Sequence, residues 1–102
     1  IDNVFIENTI TNVKTQLIPE SSVVIEPNPS NSKVNIEFEV LNDENYIVQI
    51  KSAQGQIVKE LTHGKLIQGI HQLEWLAPSA GIYFVEIQNA TSKISKKLII
   101  VD

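Results

Sequence analysis

The stretch Lys33-Val34-Asn35-Ile36-Glu37-Phe38-Glu39-Val40 alternates without a break. Val34, Ile36, Phe38 and Val40 share one face, and Lys33, Asn35, Glu37 and Glu39 share the other. Side chains along a strand point to opposite faces with a period of two, so this segment reads as a β-strand with one buried and one wet face. Leu41-Asn42-Asp43-Glu44-Asn45 supplies turn chemistry. A second strand, near Tyr46 to Lys51, buries Tyr46, Val48 and Ile50. Ser52-Ala53-Gln54-Gly55 then reads as a tight turn, with Gly55 able to take a positive φ at no steric cost.

Working outward, further strands follow at sandwich spacing. Ile57 to Thr62 is one, closed by His63-Gly64. Ile70 to Trp75 is the next, with Leu73 and Trp75 on a common face. After the loop Ala77-Pro78-Ser79-Ala80-Gly81, Ile82 to Gln88 is almost continuously apolar, which predicts a central strand. Asn89-Ala90-Thr91-Ser92 turns the chain into a last strand, Ile94 to Val101. Val23 to Ile25 adds one more strand in front. No segment carries a 3.6-residue apolar stripe. The pattern predicts an all-β fold, an Ig-like antiparallel β-sandwich of about seven strands, over residues 23–102.

Composition agrees. Of 102 residues, 16 are isoleucine and 10 valine, against 7 leucine and 4 alanine. Residues that are stiff at χ1 suit a pleated surface, whereas leucine and alanine favour helices. Net charge is −4, and all 8 basic residues are lysine. Phosphate and guanine recognition lean on arginine forks and basic patches, so nucleic acid is not an expected partner. Without cysteine there is no disulfide, thiolate metal site or cysteine nucleophile. No apolar run approaches the roughly 18 residues of a membrane-spanning helix, and no signal-peptide pattern opens the chain. The lack of methionine leads us to expect a piece excised from a longer chain. Ile1 to Glu7 reads as a strand, and the polar stretch Asn8 to Ser22 follows it. Residues 1–22 are therefore expected to combine the tail of a preceding region with a linker.

Signs of catalysis are sparse. His63 and His71 fall in or beside different strands, with no cluster of further ligands around them, whereas zinc requires three or four converging groups, so both read as surface histidines. No serine sits in a nucleophile elbow. Glu37 and Glu39 share a face and could suggest paired carboxylates, but alternation makes them a solvated face. Gly64 and Gly69 are too scattered for a phosphate loop. No cofactor is implied. Trp75, Tyr83 and Phe84 could form a sugar-stacking platform, although a single tryptophan in a sandwich more often fills the core. Asn89-Ala90-Thr91 matches a glycosylation sequon.

Four features recur together without an evident structural necessity. Pro27-Asn28-Pro29-Ser30-Asn31 precedes the alternating strand, and its two prolines remove two donors, so it cannot pair as a central strand. The turn ending at Gly55 leads into Gln56-Ile57-Val58. Gly81-Ile82-Tyr83-Phe84-Val85 opens the central strand. Lys96-Lys97-Leu98-Ile99-Ile100-Val101 ends the chain ahead of Asp102.

In this order and spacing the set closely resembles the type A C-terminal sorting domain of the Bacteroidota type IX secretion system. The family's proline-asparagine-proline lead-in falls on Pro27, Asn28 and Pro29, and its turn glycine on Gly55. Its glycine-x-tyrosine-x-valine strand falls on Gly81, Tyr83 and Val85, and its lysine-bearing terminal strand on Lys96 or Lys97 with Leu98, Ile99, Ile100 and Val101. The family often has aspartate or glycine where this chain has Ser32, and aspartate where it has Ser52. The resemblance spans about Ile25 to Val101. It implies a secretion signal without enzymatic activity, read by an outer-membrane translocon after passage through the periplasm. In many members a cell-surface sortase removes the domain just upstream and attaches the cargo to an anionic lipopolysaccharide. The corresponding linker here is Gln16, Leu17, Ile18, Pro19, Glu20, Ser21 and Ser22, with Ile1 to Glu7 as cargo tail. Recognition is expected on Lys96 to Val101 and Gly81 to Val85, although the two lysines would equally guard an apolar edge strand. The other class of function open to such a chain is an Ig-like carbohydrate-binding or adhesive module of a surface protein.

Overall fold

The computed structural model describes residues 22–101. The expected strand Ile1 to Glu7 and the linker as far as Ser21 lie outside them. Seven strands run in chain order: β1 (Val24–Glu26), β2 (Lys33–Val40), β3 (Glu44–Ser52), β4 (Ile57–Leu66), β5 (Gly69–Leu76), β6 (Gly81–Gln88) and β7 (Lys93–Ile100). They form two sheets, ordered β1-β2-β5 and β4-β3-β6-β7. All strand pairs are antiparallel. This is the expected Ig-like sandwich, with its fourth strand in the larger sheet.

The alternating segment Lys33 to Val40 is β2, residue for residue. Its four apolar side chains are fully buried and face Tyr46, Val48 and Ile50 of β3, Tyr83, Val85 and Ile87 of β6, and Ile94, Leu98 and Ile100 of β7. Each such burial contributes about 1.5–3 kcal/mol, which fixes which face of each strand turns inward. Ile82 to Gln88 is interior, as its apolar run predicts, with β3 on one side and β7 on the other. Gly55 has φ +89° in the β3–β4 turn.

One boundary differs from expectation. β4 does not stop at His63-Gly64 but continues to Leu66, with Gly64 opposite Tyr46 and Lys65 opposite Asn45. A glycine ends a strand only where no partner continues, and here β3 supplies one. The strand absorbs its irregularity instead as two register shifts against β3, after Val48 and after Ile50. Asp43 Oδ1 then accepts the Gln68 N–H at 2.8 Å, fastening the crossing to the other sheet.

Two devices close the ends of the sandwich. The Tyr83 hydroxyl donates to the Ser79 carbonyl at 2.9 Å, the tyrosine corner of Ig-like folds, and its ring meets Trp75 edge-on at 5.0 Å. At the opposite end, Asn89 Oδ1 accepts the N–H groups of Thr91 and Ser92 at 3.0 and 2.9 Å. Asn89 Nδ2 approaches the Tyr46 hydroxyl at 3.5 Å. Burial raises the Tyr46 pKa above its ordinary 10.0, with Glu44 adding to the rise and the Asn89 hydrogen bond opposing it.

Candidate functional site

The four recurrent sequence features converge at one end of the larger sheet. β7 is the margin of that sheet, and its outer backbone groups face the Pro27–Ser30 segment. Asn28 Nδ2 donates to the Lys97 carbonyl at 3.1 Å, while the Ile99 N–H donates to Asn28 Oδ1 at 3.1 Å. One side-chain amide thus imitates the paired donor and acceptor of a neighbouring strand. Two residues on, the Ser30 N–H donates to the Ile99 carbonyl at 3.0 Å, and the Val101 N–H to the Ser30 carbonyl at 2.7 Å. Pro27 and Pro29 have no N–H to offer, so contact is confined to Asn28 and Ser30. The segment forms a clip over the end of β7 rather than an eighth strand.

Local hydroxyls hold the clip and the turn beside it. Buried Ser30 donates its Oγ to the Lys33 carbonyl at 2.8 Å and accepts the Ser32 N–H at 3.3 Å. Ser52 Oγ accepts the N–H groups of Gln54 and Gln56 at 3.3 and 3.2 Å, which is the role a turn-opening aspartate plays. Ser52 pairs with Tyr83, Gly81 with Ile100, Tyr83 with Leu98 and Val85 with Lys96, so the Gly55 turn, the start of β6 and the end of β7 lie side by side.

Within this region the strands divide the motif residues by face. Tyr83, Val85, Leu98 and Ile100 are buried. Lys96 is half-buried on the same inward face, at the margin of the sheet. Turned outward are Lys97 and Ile99 of β7, opposite Phe84 and Ile82 of β6, with Lys51 next in the Phe84 row. Ile82 and Ile99 are exposed, and so are Pro27, Asn28, Pro29 and Val101. Sequence reasoning did not find Ile82, Phe84 and Lys51 as neighbours of Lys97 and Ile99, because only the register brings them together. The recurrent motif therefore divides between side chains buried in the scaffold and side chains that are exposed.

The remaining sequence candidates separate. Trp75 is buried, and Tyr83 and Phe84 point to opposite faces of β6, so the three make no stacking platform. Asn89 of the sequon is buried and holds the β6–β7 turn, which leaves its amide unavailable to a glycan. His63 is exposed beside Glu60, with 3.7 Å between Nδ1 and Oε2. His71 is not a surface residue but is half-buried on the inner face of β5, stacked on Phe38, where its Nε2 donates to the Ile67 carbonyl at 2.7 Å. Glu37 faces solvent and accepts a hydrogen bond from Gln72 at 2.9 Å. Among the described residues, no three histidine or carboxylate side chains gather as metal ligands, and no helix is long and apolar enough to cross a membrane.

The described residues thus form a two-sheet antiparallel sandwich whose recurrent residues gather at one end of the larger sheet, beside the clipped strand β7. Residues 24–101 match the family model described as the secretion system C-terminal sorting domain, and the chain belongs to that family. It is a sorting signal of type IX secretion, which acts with the secretion machinery and directs export across the outer membrane to the cell surface or the medium. No curated protein matches the chain significantly.

Proposed function

We propose that residues 23–102 are the sorting domain of a larger cargo protein and have no activity of their own. In this reading residues 1–22 join the cargo tail to a linker in which a cell-surface sortase cuts between Gln16 and Ser22. The domain folds in the periplasm and presents its β6–β7 end to the outer-membrane translocon. The outward side chains of Lys97, Ile99, Ile82 and Phe84 are read together with the Pro27–Pro29 clip, while Tyr83, Val85, Leu98 and Ile100 hold that surface in shape. The observation that carries this reading is that all four recurrent segments lie at one end of the larger sheet, with the start of β6 and the Pro27–Ser30 clip flanking the end of β7. The adhesive alternative loses its main support with the burial of Trp75.

A fusion of the chain to a periplasmic reporter in a type IX-competent bacterium tests the proposal. The reporter is expected in the medium or on the cell surface, and removal of Lys96 to Asp102 is expected to abolish its export. Glu37→Ala, on the opposite sheet, is expected to leave export unchanged. Retention of the intact fusion in the periplasm would refute the reading.

A further inference from the structure

Among the described residues the two sheets have four margins, and three of them are guarded. β1 is only three residues long and runs into Pro27. β4 is twice shifted in register and carries Lys59, Glu60 and Lys65. β7 is covered by the clip along Lys97 to Val101, and carries Lys93, Lys96 and Lys97. Short length, bulges, lysines and covering loops are the devices by which sheets avoid pairing with other chains. Among the described residues β5 has none of them. Its eight residues, Gly69-Ile70-His71-Gln72-Leu73-Glu74-Trp75-Leu76, pair with β2 in unbroken register and contain no lysine or proline. Ile70 and Leu76 are 59% and 69% exposed.

Among the described residues, the backbone of β5 offers a regular edge that no other strand pairs. Ala77, one residue past the strand, donates its N–H to Ser32 beside β2 at 2.9 Å. Strand groups alternate in direction, so Leu73 and Trp75 also turn their N–H and C=O toward β2, and Ile70, Gln72, Glu74 and Leu76 turn theirs outward. We infer that this edge pairs with the β5 of a second copy, antiparallel about a twofold axis through Leu73.

The sequence of the strand selects that occupant and that register. About Leu73, each exposed Ile70 lies opposite the partner's Leu76, and each Gln72 opposite the partner's Glu74. On the inner face Leu73 meets the partner's Leu73, and His71 meets the partner's Trp75. The four outward-turned residues supply the hydrogen-bonded pairs, while Leu73 forms a close non-hydrogen-bonded pair with its own copy. A twofold centred on Glu74 would oppose two carboxylates, and one centred on Gln72 would set Ile70 against Glu74. A slip by one residue would exchange the inner and outer faces. Only the Leu73 register joins apolar to apolar and amide to carboxylate along the strand. The product is a six-stranded sheet running through both copies, and it leaves both clipped β7 ends free.

Sedimentation of the 102-residue chain tests this from about 1 μM to about 1 mM, the range in which a modest interface shows itself. A concentration-dependent dimer is expected. Ile70→Lys sets a charge against the partner's Leu76 and is expected to weaken dimerisation more than about tenfold. Because the chain has no cysteine, Leu73→Cys is expected to form a disulfide-linked dimer under mild oxidation. Gln72→Cys, whose copies lie about two residues out of step, is not expected to do so. A chain monomeric across the range would overturn the inference. So would a dimer indifferent to Ile70→Lys, or oxidation that links Gln72→Cys as readily as Leu73→Cys.

Discussion

β5 and β7 are both eight-residue strands at the margin of an antiparallel sheet, yet they treat their outer edges in opposite ways. β7 ends under a clip that satisfies the Lys97 and Ile99 carbonyls and the Ile99 and Val101 N–H groups, and three lysines line it. Among the described residues β5 carries no clip, and it has no lysine and no irregularity. Guarding is thus uneven: β1, β4 and β7 carry it and β5 does not. On β7 the clip and lysines cover an apolar edge that would otherwise be open to pairing with other chains.

The strongest challenge to this contrast removes packing from each strand in turn. Leu98 of β7 is fully buried, and Leu98→Ala is expected to destabilise by about 2–5 kcal/mol in urea denaturation. Leu73 of β5 is only half-buried, so Leu73→Ala is expected to cost less than about 2 kcal/mol. Equal losses would mean that β7 is no better anchored than β5.

A smaller effect isolates the clip. Asn28→Ala removes one donor and one acceptor and is expected to cost about 1–2 kcal/mol. Hydrogen exchange at the Ile99 amide is expected to accelerate by about tenfold, in line with that loss. Asn28→Asp keeps the acceptor for Ile99 but loses the donor to Lys97, and should fall between the two. Unchanged exchange at Ile99 would show that the clip does not hold the edge.

The smallest effect comes from giving β5 the guard it lacks. Ile70→Lys is expected to change the stability of the monomer by no more than about 0.5 kcal/mol, because the side chain is mostly exposed. A larger loss in dilute solution would place Ile70 in the fold itself rather than on a free edge.

Different parts of this architecture were visible in the sequence to different degrees. Strict alternation fixed β2 to the residue, and the apolar run of β6 marked it as interior, because burial acts directly on side-chain period. Gly64 misled, since a glycine reads as a strand end only when the partner strand is unknown. His71 misled for a related reason: alternation places it inward, but its stacking on Phe38 depends on the register between β2 and β5. The residues of the four recurrent features stand in the sequence itself. Their division into buried Tyr83, Val85, Leu98 and Ile100 and outward Lys97 and Ile99 follows from alternation once β6 and β7 are paired.

The sequence by itself determined the all-β class, the strand order along the chain, the turn at Gly55 and the family. Those rest on local chemistry: period, φ preference and motif spacing. Tertiary structure alone decided that Asn28 and Ser30 reach across about seventy residues of chain to close the edge of β7. It also decided which strands became margins. Hydrogen bonds of that separation leave no periodic trace in the sequence, because they depend on where the two sheets bring distant backbone groups together.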